Sequence, residues 1–127
     1  MKLQPERSEG VNIVTRIDPA AIWVGGIAHA HSILLPWAGD VQRWPPASFA
    51  QIAAADFDRI LPLQPELVIL GSGARLRFVA PALLRGLIES GTGVETMDTA
   101  AACRTYNVLA GEGRRVLAAL LLETPPA

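Results

Sequence analysis

The chain has 127 residues, half of them hydrophobic, with 11 basic and 12 acidic side chains and a net charge of −1. At this length roughly two thirds of the unfolded surface can be buried, so one domain over residues 1–127 closes a core without disulfide or metal staples. A single cysteine excludes an internal disulfide and any two-cysteine zinc or redox motif, and cations scattered along a near-neutral chain exclude the basic stripe that nucleic-acid binding requires.

The chain opens on a polar, charged stretch (Lys2, Glu6, Arg7, Glu9) with no apolar run of the kind a secretory signal needs. It reads as cytoplasmic, with residues 1–10 as a loosely ordered N-terminal segment. Residues 11–17 and 21–35 mix alternating and continuous apolar positions around Gly25-Gly26, the pattern of two or three strands joined by tight turns. Asp56, Phe57, Ile60 and Leu61 have helical spacing and predict a short helix over 56–61. Trp23, Trp37, Trp44, Phe49 and Phe57 are expected to pack this β-rich part against the helices that follow.

Leu67-Val-Ile-Leu70 is a continuous apolar run bounded by Glu66 and Gly71, the look of a strand buried on both faces. Pro81 at a first helical turn, the stripe of Leu83, Leu84, Leu87 and Ile88, and Gly91 as a stop predict an amphipathic helix. A strand over 93–97 then completes a βαβ unit, whose two strands are parallel and whose crossover is expected to be right-handed. Asp98-Thr99 supplies a cap for a helix over 100–109. After Gly111 and Gly113 the alanine- and leucine-rich pattern predicts another helix over 114–122, buried through residues 116, 117, 120 and 121. No apolar run approaches the ~20 residues of a membrane span.

Parallel strands bring their carboxyl ends to one edge, so the loops Gly71-Ser72-Gly73 and Asp98-Thr99 should meet in the crevice where α/β sheets bind ligands. The candidate ligand-binding residues are Gly71, Ser72, Gly73, Thr99, Arg104 and Asn107. The turn and helix-start N–H groups would cradle an anion, Arg104 would grip a phosphate or carboxylate, and Ser72, Thr99 and Asn107 would orient it. The same residues have structural uses: a tight turn for the glycines, a cap for Thr99, a bond from Asn107 to a neighbouring loop, and an ion pair of Arg104 with Glu112 or Asp98. Gly71-Ser-Gly-Ala-Arg-Leu76 begins like a dinucleotide fingerprint, but Leu76 stands where the third glycine belongs. His29 and His31 share one face of a strand without a third metal ligand, and Cys103 has no base partner and reads as a small buried residue. No catalytic residue, cofactor or metal is nominated, so no reaction is assigned.

The stretch from Met97 through Arg104-Thr-Tyr-Asn107 and Leu109 to Glu112-x-Arg114, together with 67–73, resembles a family of small proteins of unknown function. That family includes the mitochondrial respiratory complex I assembly factor 3 and an adipogenesis-associated cytosolic protein. The resemblance spans residues 10–122, is most distinctive at the C-terminal end, and before residue 60 rests on Ser32-Ile-Leu-Leu-Pro36; Ser72 stands where threonine is usual. It implies a three-layer α/β domain with a central mixed sheet, helices against one face and additional β-strands on the other. Two readings of function follow. One is a non-enzymatic binding or assembly-helper domain acting on a protein partner or as a homo-oligomer, without nucleic acid or a membrane span. The alternative is a domain for a small ligand or anion in the crevice.

Overall fold

The computed structural model describes residues 10–123, so all of the expected loose segment except Gly10 lies outside the described residues. Three short strands come first: β1 (Val14–Asp18), β2 (Ala21–Val24) and β3 (Ile27–His29) form an antiparallel sheet in the order β1-β2-β3, with Gly25 and Gly26 in the turn between the last two. A second sheet has five strands. Its members are β4 (Ile33–Pro36), β5 (Gln42–Arg43), β6 (Leu67–Gly71), β7 (Gly93–Met97) and β8 (Val116–Leu120), in the order β5-β4-β8-β6-β7. β8 runs antiparallel to β4 and parallel to β6, and β6 parallel to β7, so the sheet is mixed and contains the expected parallel pair.

The expected helix over 114–122 is a strand instead. Alanine and leucine favour a helix in isolation, but that preference is a few tenths of a kcal/mol per residue, and Val116–Leu120 is wholly buried between β4 and β6. Period-two alternation then sorts the core. Val116, Ala118 and Leu120 of β8, with Ile69 and Ile33, face one cluster; Leu117, Ala119 and Leu121, with Val68, Leu70 and Leu34, face another.

The longest helix, α3 (Thr99–Gly111), buries Ala102, Cys103, Tyr106 and Ala110 in the first cluster, where Val14, Ile22 and Val24 of the small sheet join it. The second cluster is closed by α1 (Ala54–Asp58), α2 (Arg85–Glu89) and the single turns Leu61–Leu63 and Pro81–Leu84. The central sheet, the helices and the additional strands are thus all present, with α3 lying beside the three-stranded sheet and the short helices on the other face. The helix expected over 56–61 begins earlier, at Ala54, and gives way to the tighter turn Leu61–Leu63, whereas the helix expected from Pro81 opens with the tighter turn Pro81–Leu84 and becomes α-helical only at Arg85. Ile88 of the expected stripe points outward at 59% exposure, while Leu87 is buried.

The aromatic residues divide. Trp44 and Phe57 meet edge to face with ring centroids 5.8 Å apart inside the second cluster, and the Trp44 indole N–H donates to the Asp56 carbonyl at 3.0 Å. Trp23 and Trp37 are only half-buried, and Arg16 stacks its guanidinium 4.5 Å above the Trp23 ring.

Candidate functional site

Because β6, β7 and β8 run in one direction, the chain leaves all three at the same edge of the sheet. Gly71 sets how closely α3 approaches that edge. A Cβ at this position would stand 3.0 Å from both Cα and Oγ1 of Thr99 and 3.2 Å from the Ala102 Cβ, so any larger residue drives the helix start away. Gly73 follows at φ +102°, which turns the chain so that its N–H donates to Thr99 Oγ1 at 2.8 Å while its carbonyl accepts the Thr99 N–H at 2.9 Å. The same Thr99 hydroxyl donates to the Leu121 carbonyl at 2.7 Å, and the Leu121 N–H donates to the Gly71 carbonyl at 3.0 Å. One threonine therefore ties the ends of β6 and β8 to the start of α3. Asp98 caps that helix, its Oδ1 accepting the Ala101 N–H at 2.8 Å.

Ser72 is fully buried between these groups. Its hydroxyl donates to the Arg75 carbonyl at 2.8 Å, lies 3.1 Å from the Met97 carbonyl and accepts the Arg77 N–H at 3.0 Å, which folds the loop after β6 back on itself. Arg77 and Glu123 complete the arrangement. The Arg77 guanidinium stacks 4.6 Å over the Phe49 ring and donates through Nη2 to the Ser72 carbonyl at 2.7 Å and to Glu123 Oε1. Glu123 Oε2 accepts the Phe49 N–H at 2.7 Å, and Arg77 Nε is buried without a partner among the described residues. These two residues carry no local sequence signal, since 46 positions separate them.

Beside this edge opens a cavity of about 260 Å³. Ile17 of β1 and Pro19 of the turn that follows cover it; Ala74, Ala100, Leu121 and Leu122 supply further apolar wall, and Asp18, Asp98 and Glu123 supply carboxylates. Gly73 and Thr99 contribute to its lining, so these two of the six predicted residues reach it, with Gly71 and Ser72 packed behind them.

Arg104 and Asn107 do not join them. They lie five and eight residues into α3 from Thr99, about 7.5 and 12 Å along its axis. Arg104 is exposed and makes no ion pair with Glu112, Asp98 or any other described residue. Asn107 uses its carboxamide on the small sheet: Oδ1 accepts the Val14 N–H and Nδ2 donates to the Val14 carbonyl, both at 2.8 Å, as a neighbouring strand would. Tyr106 also crosses to distant backbone, its hydroxyl 2.8 Å from the Asn12 carbonyl and 3.0 Å from that of Pro36.

The titratable groups are correspondingly quiet. Burial pushes the Cys103 thiol up to about 12 and raises the Tyr106 phenol as well, which leaves both protonated and unreactive at neutral pH. His29 is held below the usual histidine range, chiefly by burial and further by the charge of His31, whose ring centroid is 6.0 Å away. Among the described residues no three His, Cys, Asp or Glu side chains stand close enough to hold a metal ion, and no helix is long and apolar enough to cross a membrane.

A family model described as a protein of unknown function (DUF498/DUF598) matches residues 14–121. The chain is 30% identical over 122 residues to the NADH dehydrogenase (ubiquinone) 1 alpha subcomplex assembly factor 3 of Bos taurus, a match that takes in 87% of this chain and 66% of that one, just under two thirds of the relative's length. A crystal structure of a Bordetella parapertussis protein superposes with a TM-score of 0.85 at 38% identity, covering 91% of this chain and 99% of the other. The solution structure of a Bordetella pertussis protein described as a Mth938-like domain gives 0.84 at 32% identity, covering 98% and 94%.

Proposed function

From the premise that the chain belongs to the DUF498/DUF598 family of proteins of unknown function, one of whose relatives is named as an assembly factor, we propose that it is a non-enzymatic assembly-helper domain that acts by binding a protein partner. The observation that carries this reading is the loop after β6. Arg77 and Val79 are turned inward, one held by Ser72 and Glu123 and the other packed on the core, so the alternating Leu76 and Phe78 are presented outward at 51% and 71% exposure. A loop pinned on its alternate residues offers two large apolar side chains with little ordering entropy left to lose, the condition under which a buried anchor stabilises a complex. Burying a side chain the size of Phe78 contributes about 1.5–3 kcal/mol. By contrast, the hydroxyls and carboxamide of the predicted crevice, on Ser72, Thr99 and Asn107, are already committed within the fold.

Tagged wild type, a Leu76→Ser/Phe78→Ser double variant and Arg104→Ala, each expressed in cells of the source organism, test the reading by co-purification and quantitative mass spectrometry. The expected result is a partner retained by wild type and Arg104→Ala and lost with the double variant, whose unfolding midpoint stays close to wild type. Equal retention by all three would remove the loop as the binding surface. Loss on Arg104→Ala alone would move the surface to α3. Sedimentation of the purified chain, with and without the double substitution, separates a second copy of itself from a different partner.

A further inference from the structure

Beyond partner binding, we infer that the cavity at the carboxyl ends of β6, β7 and β8 is a site for a compact apolar amine. Its size sets the first limit: an apolar cavity of about 150 Å³ accepts a benzene molecule, so one of about 260 Å³ accommodates such a ring with a short aminomethyl arm. Its walls set the second. Ile17, Pro19, Ala74, Ala100, Leu121 and Leu122 offer apolar contact from the small sheet, the loop after β6, the start of α3 and the end of β8.

Charge decides between an amine and an anion. Four of the backbone donors that could cradle an anion at this edge are already used: the Gly73 N–H on Thr99 Oγ1, the Thr99 N–H on the Gly73 carbonyl, and the Ala101 and Ala102 N–H groups on Asp98. The three ionisable side chains in the lining are all carboxylates. Asp18 is paired with Arg16 at 3.4 Å and accepts the N–H groups of Ala20 and Ala21, and Glu123 is paired with Arg77. Asp98 has no cationic partner among the described residues, and its Oδ2 accepts none of their hydrogen bonds. A helix start carries about half a positive charge, which the full negative charge of Asp98 outweighs. An ammonium group at the mouth therefore meets a free carboxylate oxygen, whereas a carboxylate or phosphate meets repulsion and few free donors.

Amide NMR spectra of the whole chain titrated at pH 7 with benzylamine, benzyl alcohol and benzoate test this. Benzylammonium is expected to produce saturable shifts at Gly73, Ala74, Ala100 and Leu122, benzyl alcohol to bind about five-fold more weakly, and benzoate to leave these signals in place. Ala100→Phe, which fills the cavity, should abolish the shifts. Asp98→Asn keeps a capping side chain while removing the charge, and should bring benzylammonium down to the affinity of benzyl alcohol. No saturable shift with benzylammonium, binding of benzoate as tight as that of benzylammonium, or an undiminished preference in Asp98→Asn would each overturn the inference. Because Asp98→Asn preserves the helix cap, it decides the matter even if Ala100→Phe does not fold. The partner-capture result is independent of all three.

Discussion

The two ends of α3 fasten the same helix to the molecule by different means. At the first turn, Thr99 and Asp98 work through short hydrogen bonds to the backbone of β6, β8 and the helix itself, and the fit depends on Gly71 having no side chain. Further along, Cys103 and Tyr106 are buried by packing, and Tyr106 and Asn107 reach outward to the backbone of Asn12 just ahead of β1, of Val14 in β1 and of Pro36 in β4. The first end is a joint at the edge where the parallel strands finish, and the second is a bridge between the two sheets. Arg104, between them, serves neither. A polar residue on this helix therefore has meaning only with its partner named, since Thr99 and Asn107, eight residues apart, hold different parts of the protein.

The contrast can be broken at its bridge first. Tyr106→Ala removes a fully buried ring and should destabilise the fold by about 3–5 kcal/mol; thermal unfolding measures the loss, and alkylation of Cys103 at pH 8, slow in wild type because its thiol is buried and titrates near 12, should accelerate. Thr99→Val is nearly isosteric but strands the Gly73 N–H and the Leu121 carbonyl, for a loss of about 2–3 kcal/mol. Hydrogen exchange should localise its effect to residues 71–73 and 121, with the small sheet unchanged. Asn107→Ala should cost about 2 kcal/mol and give the opposite map, with faster exchange at Val14 and little change at Gly73. Arg104→Ala should move stability by no more than about 0.5 kcal/mol in denaturant unfolding. A drop of several kcal/mol there would mean that the middle of α3 carries load that its exposure does not reveal.

Much of this architecture was legible from residue pattern alone. The apolar run at 67–70, the Pro81 and Gly91 punctuation and the Asp98 cap announced β6, α2, β7 and α3, and the parallel pairing located the edge at which the cavity opens. β8 was not legible as a strand, because a seven-residue run with no polar position at 116–122 has no period to read and its alanines argue for helix. What could have told against a helix is the absence of any solvent face. Arg104 and Asn107 follow Thr99 by five and eight residues along α3 and neither lines the crevice, and the partner that Asn107 takes instead, Val14, is fixed by how the helix packs on the small sheet and not by its own sequence. The pairing of Arg77 with Glu123 is likewise invisible before the chain folds, since it joins the loop after β6 to the segment after β8.

The position of β8 has a consequence for the order of events during synthesis. It is the last strand in chain order and the middle strand of the five, and β4 and β6 are joined to each other only through it. A ribosome that has released everything up to Gly113 has produced two half-sheets with nothing between them, each showing an apolar flank. The domain cannot mature gradually from its N-terminal side. It waits for residues 116–120 and then closes in one step, so a nascent chain paused shortly before them is the form most exposed to aggregation and to chaperone capture.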